Sequence, residues 1–175
     1  PNGASTKNAG FACFGSISEI LDDLKTHSEE EVLQLIQKRR KGLELLRKNL
    51  GDTNIGYREY GGYELFTKND IELFEECSSK TGEVNKLLRP LFGAEVFSTE
   101  KDIFGFRQIQ KKLIYNEFEG QLNTGKMMQE LLQKVQAAGV KILNCTTVEE
   151  FSEDTNSVKI KTGKFEFSTK KLLIA

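Results

Sequence analysis

The chain has 175 residues, enough for one ordinary domain with its own core. With 38% hydrophobic residues, 29% charged residues and a net charge of −1, it has a globular composition and lacks the basic excess expected of a nucleic-acid or membrane-surface binder. No apolar run approaches the ~20 residues of a membrane-spanning helix, so no integral membrane segment is expected.

In chain order, residues 1 to 16 read as a loop rich in Gly, Ala, Ser and Asn, without the basic start and apolar core of a signal peptide. Ser18 is placed to cap a short helix through about Lys25. Ser28 with Glu31 has the spacing of a capping box. Val32, Ile36, Leu43, Leu46 and Leu50 then recur at helical period, which predicts one long amphipathic helix over Glu29 to Leu50, stopped by Gly51. "IGYREYGGYELF", Ile55 to Phe66, alternates and is rich in aromatics, which predicts a strand bulged at Gly61 and Gly62. Thr67 is placed to cap a helix over about Asp70 to Cys77, and a second helix from near Gly82 to Arg89 ends at Pro90, or soon after if that residue only kinks it. Residues 94 to 119 read as strands broken by Gly105 and polar turns.

Beyond Gly125 the pattern predicts a helix over Lys126 to Ala138, with Met128, Leu131, Leu132 and Val135 on one face. A buried strand "VKIL" follows, then short strands in "TVEEF", "SVKIKT", "KFEFS" and "KKLLIA". The chain opens in a loop at Pro1 and stops while an apolar strand pattern is still running, as expected of a piece cut from a longer protein. The three cysteines, Cys13, Cys77 and Cys145, are odd in number and far apart. They predict reduced, mostly buried thiols and a cytoplasmic location. With His27 the only histidine, set in a polar stretch between two helices, and the cysteines far apart with no C-x-x-C pair, neither a structural zinc site nor a Ser-His-Asp triad is expected, and no metal is expected.

"GQLNTGKMM", Gly120 to Met128, matches a nucleotide phosphate loop up to its last position. There such a loop needs a Ser or Thr hydroxyl for the magnesium ion, and Met127 offers a thioether. The match reads as two turn glycines and a solvated Lys126. The adjacent pairs Glu75-Glu76 and Glu149-Glu150 diverge on regular elements and read as solvated positions, as does the basic run Lys38 to Lys41. "GASTKNAGFACFGS", Gly3 to Ser16, is different. Its small residues let backbone approach a flat ligand, and Ser5, Thr6 and Asn8 supply hydrogen-bonding groups.

That stretch, "ASTKNAGFACFG", resembles the loop after the dinucleotide-binding unit in the D-amino-acid oxidase family of FAD-dependent oxidoreductases. The family pattern is commonly Ala-Ser-x-Arg-Asn-Ala/Gly-Gly; Lys7 stands here where Arg is frequent. "FEGQLNTGKMMQELLQKVQAAGVKIL" is similar to the strand, turn, helix and strand that return from the family's substrate sheet to its FAD domain. "TTVEEF" to "KKLLIA" is similar to the small sheet that follows. The resemblance implies an α+β fold: part of a substrate domain, with a mixed or antiparallel sheet and helices, joined to part of an FAD-binding domain. Residues 1–16 would be the flavin-side loop, 17–122 the substrate-domain portion, and 123–175 the helix and small sheet returning to the FAD domain.

It also implies FAD as cofactor of the whole protein and a small amine or amino acid as substrate. Ser5, Thr6, Asn8, Ala9, Gly10 and Phe11 would lie on the flavin side, with the Val148 backbone toward adenine. The G-x-G-x-x-G fingerprint for the pyrophosphate is not in this sequence, so the 175 residues alone are not expected to retain FAD, and residues 1 to about 14 are expected to lie free of the rest of the chain. No catalytic residue can be named; Arg58 and Arg107 are candidates for holding a substrate carboxylate. A non-catalytic α+β interaction or regulatory domain remains the alternative. Oligomeric state is not legible.

Overall fold

The computed structural model describes residues 7–174, which fall into two compact units divided between Gln133 and Lys134. In the first, β1 (Phe11–Ala12) is followed by α1 (Ile17–Thr26) and α2 (Glu29–Leu50). After a single turn, α3 (Asp52–Ile55), come β2 (Gly62–Glu64), α4 (Ile71–Phe92), β3 (Phe97–Lys101), β4 (Lys112–Asn116) and β5 (Gly120–Gln121). The helix α5 (Thr124–Ala137) contains the boundary, and β6 (Val148–Asp154), β7 (Ser157–Thr162) and β8 (Glu166–Thr169) belong to the second unit. All strand pairs are antiparallel: β1 with β5, a sheet of order β2-β4-β3, and a sheet of order β6-β7-β8. The α+β expectation holds.

The long helix forms as its sequence requires. Ser28 accepts from the Glu31 amide while Glu31 accepts from the Ser28 amide, satisfying two donors that a helix start otherwise leaves open. Gly51 ends it at φ +84°. The first helix is capped by Ser16 with Glu19, not by Ser18; Ser18 lies inside the first turn, and its side chain turns to Glu64.

Two predicted helices merge into α4. Ser79 donates to the Glu76 carbonyl at 2.9 Å and Thr81 to the Cys77 carbonyl at 3.0 Å, so these two hydroxyls are satisfied within the helix, while the Ser78 hydroxyl meets that of Thr99 on β3 at 3.4 Å. Pro90 lies near the end, where Gly93 and Arg40 satisfy the last carbonyls. The predicted strand over 55–66 is mostly irregular. Asp52 and Gly56 wind α3 to a left-handed stop, Arg58 forms a single bridge to Gln121, and only Gly62–Glu64 pairs as strand.

The main core joins Ile17, Ile20 and Leu21 of α1, Val32 and Ile36 of α2, and Cys77, Val84 and Leu88 of α4 to Phe97 and Ile114 of the sheet. Asn85, buried on α4, donates to the Phe97 carbonyl and accepts from the Val96 and Phe97 amides, pinning the helix to the start of β3. A smaller cluster of Ala12, Leu50, Ile55 and Tyr57 receives Met127.

In the second unit, Val158, Ile160 and Thr162 alternate inward on β7. Neither "VKIL" nor the described part of "KKLLIA", residues 170–174, is a strand. Val140, Ile142 and Leu143 are exposed and Leu173 is 91% exposed, because a strand needs a neighbouring ladder and no described residue supplies one. Only one of the three thiols, Cys77, is buried; Cys13 and Cys145 are exposed and all three are free. Among the described residues no helix is long and apolar enough to cross a membrane.

Candidate functional site

The loop singled out by composition is built around Gly10. Its φ of +85° is one that side chains rarely adopt, and a Cβ there would collide with the Leu122 carbonyl. Asn8 Oδ1 accepts from the Gly10 amide at 2.6 Å, and the Gly10 carbonyl accepts from the Leu122 amide at 2.8 Å. One residue on, Phe11 pairs with Gln121 and Ala12 with Gly120. So residues 10–14 do not lie free: Gly10, Ala12 and Phe14 are buried, held by backbone pairing to the turn before α5. Lys7, Asn8 and Ala9 are exposed, as is Phe11 at 71%. Ser5 and Thr6 lie outside the described residues. Val148, 49% exposed, opens β6 in the second unit.

The phosphate-loop spacing dissolves in the same geometry. Gly120 is a strand residue whose Cβ would meet the Arg58 carbonyl at 2.5 Å. Asn123 Oδ1 takes the Lys126 amide at 2.9 Å, the helix-start donor a phosphate would need. Lys38 and Lys41 of the basic run are exposed. Its two arginines are braces: Arg39 donates to the Phe14 carbonyl at 3.0 Å, and Arg40 reaches the Leu91 carbonyl and stands over the Phe92 ring.

Beside the loop is a cavity of about 290 Å³, lined among others by Phe11, Tyr63, Glu64, Ile114, Asn116 and Glu119. Sheet register assembles it. Asn116 lies between Gly62 and Phe97, and Ile114 between Glu64 and Thr99, so these residues share one face. Ser18 donates its hydroxyl and its amide to the Glu64 carboxylate. The Glu119 carboxyl fits because position 62 has no side chain; a Cβ on Gly62 would collide with it. Burial, then the charges of Glu19 and Glu64, push Glu119 up to about 7, opposed by a hydrogen bond from the Phe14 amide. Glu119 Oε1 and Asn116 Nδ2 are both buried without a hydrogen-bond partner.

Sequence reading missed this trio, because Glu64 and Glu119 lie 55 positions apart and only strand pairing joins them. The one signal was local: Gly62 and Glu64 at strand period, with a glycine where a side chain would block an acid. The proposed carboxylate holders, Arg58 and Arg107, are exposed and do not line the cavity. On the other face of the sheet, Tyr63 stacks near Tyr115 and Phe104, with centroids 4.8 and 5.0 Å away.

The profile of the family described as FAD dependent oxidoreductase (DAO) matches residues 1–175; the chain belongs to that family. Its fold is that of part of several solved structures. Glycine oxidase from Geobacillus kaustophilus superposes with a TM-score of 0.61 at 20% identity over 97% of this chain and 44% of that one. L-amino acid deaminase from Proteus myxofaciens gives 0.62 at 16% identity over 95% and 35%. Iminodiacetate oxidase from Chelativorans sp. gives 0.60 at 14% identity over 93% and 42%. The chain thus spans less than half the length of each of these structures. No curated protein matches it.

Proposed function

We propose that the chain is part of an FAD-dependent oxidoreductase of the D-amino-acid oxidase and glycine oxidase type, which oxidises a small amine or amino acid. One observation carries the reading: in a chain of this family, the Gly10 loop is anchored by backbone to the turn before α5 while Asn8, Ala9 and Phe11 stay exposed. Ser5, Thr6, Asn8, Ala9, Gly10 and Phe11 would lie against the flavin, and the Val148 backbone against the adenine end. Residues 17–122 are the substrate-domain portion and 123–175 the return to the FAD domain.

FAD, when bound, accepts the hydride from the substrate carbon; the protein binds and orients the substrate. The aromatic face at Tyr63, Tyr115 and Phe104 is the surface this reading assigns to the substrate side. Three free thiols fit a reducing compartment such as the cytoplasm.

The 175 residues alone do not retain the cofactor, because they contain no G-x-G-x-x-G turn for its pyrophosphate, the group most costly to leave without partners. The test is visible absorbance after purification. The chain alone is expected to be colourless and the whole protein yellow, bleaching on anaerobic mixing with one of D-amino acids, glycine, sarcosine or hydroxy acids. A whole protein that stays colourless when supplied with FAD would refute the reading.

A further inference from the structure

We propose that the tip of the β3–β4 connection, residues 103–107, docks on the surface of an anionic lipid bilayer, with Ile103 and Phe106 entering the interface and Lys101, Arg107, Lys111 and Lys112 meeting the headgroups. Such docking is independent of the oxidoreductase reading above.

Local geometry holds this apolar tip out in water. Residues 108–111 are tied down: Ile109 bridges to Thr67, the Gln108 carbonyl accepts from the Lys68 amide at 3.0 Å, and the Gln110 amide donates to the Phe66 carbonyl at 2.8 Å. On the other side the Asp102 amide donates to the Lys111 carbonyl at 3.0 Å. Asp102 Oδ1 accepts from the Phe104 and Gly105 amides, in a turn that Gly105 completes at φ +70°. Between these ties lies "IFGF". Phe104 is braced edge-on against Tyr63, and Phe106 lies beside Phe104, yet Ile103 remains 74% exposed and Phe106 54%. These side chains gain by entering an apolar phase.

Charge decides what the tip meets. The chain as a whole has no basic excess, but residues 101–112 hold four cations and one acid. All four cations are exposed, and none forms an ion pair among the described residues. The acids beside them are engaged: Asp102 in its own turn, and Glu100 with the Ser98 hydroxyl at 2.8 Å. Lys68 and Asp70, next to the bridge at Thr67, offset each other. Lys101 and Lys112 stand directly opposite in the ladder, a like-charge pair that costs stability by itself and that an anionic surface relieves. Packing the tip against a neutral apolar surface would strip water from unpaired cations, and a second copy would set the same cations against them. An anionic bilayer satisfies both parts of the loop, attracting the cations to its headgroups and taking up the apolar side chains behind them.

The experiment uses the whole protein, sedimented with vesicles of phosphatidylcholine alone or of phosphatidylcholine mixed with phosphatidylglycerol. Binding is expected to be about tenfold tighter on the mixed vesicles and to weaken as salt is raised from about 0.1 to 0.5 M. Lys101→Gln combined with Lys112→Gln is expected to weaken it about tenfold, and Ile103→Ser combined with Phe106→Ser to abolish the binding that survives high salt. In a Phe106→Trp variant the added emission should shift to the blue on mixed vesicles, which attraction of charges without insertion would not produce. Circular dichroism checks that each variant is folded. No vesicle binding, equal binding to both kinds of vesicle, affinity unchanged in the folded variants, or an unshifted emission would overturn the proposal. So would a dimer that the Ile103→Ser, Phe106→Ser variant converts to monomer without any vesicle binding, which would assign the tip to a second copy.

Discussion

The two units bury themselves in different ways. In the first, three helices close over one face of the β2-β4-β3 sheet, and Ile17, Ile36, Leu88 and Ile114 are shut off from solvent. In the second, three strands pair fully, yet Phe151 and Phe167, which flank Ile160, remain exposed, as do Ile142 and Leu173. Hydrogen-bonded pairing is therefore not enough for a core: the first unit has a helix-covered apolar interior, whereas the second has a paired ladder, bulged between Val148 and Glu150, over a thin one. This difference also locates the candidate chemistry. A buried carboxyl such as Glu119 can be held with a raised pKa only where packing excludes water, and that happens in the first unit.

The largest expected effect tests that contrast directly. Leu88→Ala removes a fully buried side chain from the helix-covered core and should cost about 3 kcal/mol in urea denaturation. Ile160→Ala should cost less, about 2 kcal/mol, because its half-exposed neighbours can collapse into the space. Equal costs would mean that the second unit is packed as densely as the first. Next, Gly10→Ala should cost about 2 kcal/mol, since it puts a side chain at a positive φ and against the Leu122 carbonyl. In the whole protein the same change should weaken FAD retention.

Glu119 provides a pH test. Its folded pKa is raised, so the folded state binds a proton more tightly than the unfolded chain does. Stability is then highest below the ordinary glutamate range and falls as pH rises from there through about 7. With allowance for solvent on its open side, the loss is on the order of 2 kcal/mol. Glu119→Gln should flatten that slope in denaturation midpoints from pH 5 to 8 and be more stable than wild type at pH 8. A slope unchanged in the variant would assign it elsewhere.

How much of this could be read from the sequence depends on how far apart the interacting residues are. The Ser28 capping box, Gly51 and the Val32-to-Leu50 stripe are local signals, and α2 came out with the expected ends. The hairpins at β6, β7 and β8 were legible by alternation and turn residues for the same reason. "VKIL" and "KKLLIA" failed because apolar character marks a strand only when a partner is present. The division between Cys77 and Gly82 failed because the polar residues there find partners without breaking the helix, which ends at Phe92, soon after Pro90. At the site, the small-residue loop was visible in composition, but Glu64, Asn116 and Glu119 meet only through the β2-β4 register.

The smallest expected effect compares a local device in each unit. Ser28 accepts from the Glu31 amide and donates to its carboxylate at 2.8 Å; Ser28→Ala removes both and should cost about 1 kcal/mol. Hydrogen bonds from the Ser28 backbone and side chain hold the Glu31 carboxyl below its usual range, so their contribution is present above the ordinary glutamate pKa and lost as pH falls below it. In Ser28→Ala the Glu31 titration should move back toward the ordinary value, which carboxyl chemical shifts would record. The counterpart is Thr162, whose hydroxyl accepts from the Lys164 and Phe165 amides and donates to the Phe165 carbonyl at 2.7 Å, closing the turn before β8. Thr162→Val should also cost about 1 kcal/mol. Similar losses would show that the units use local hydrogen bonds equally and differ in core alone. A Thr162→Val loss several times larger would show that the second unit depends on its turns to make up for the thinner interior.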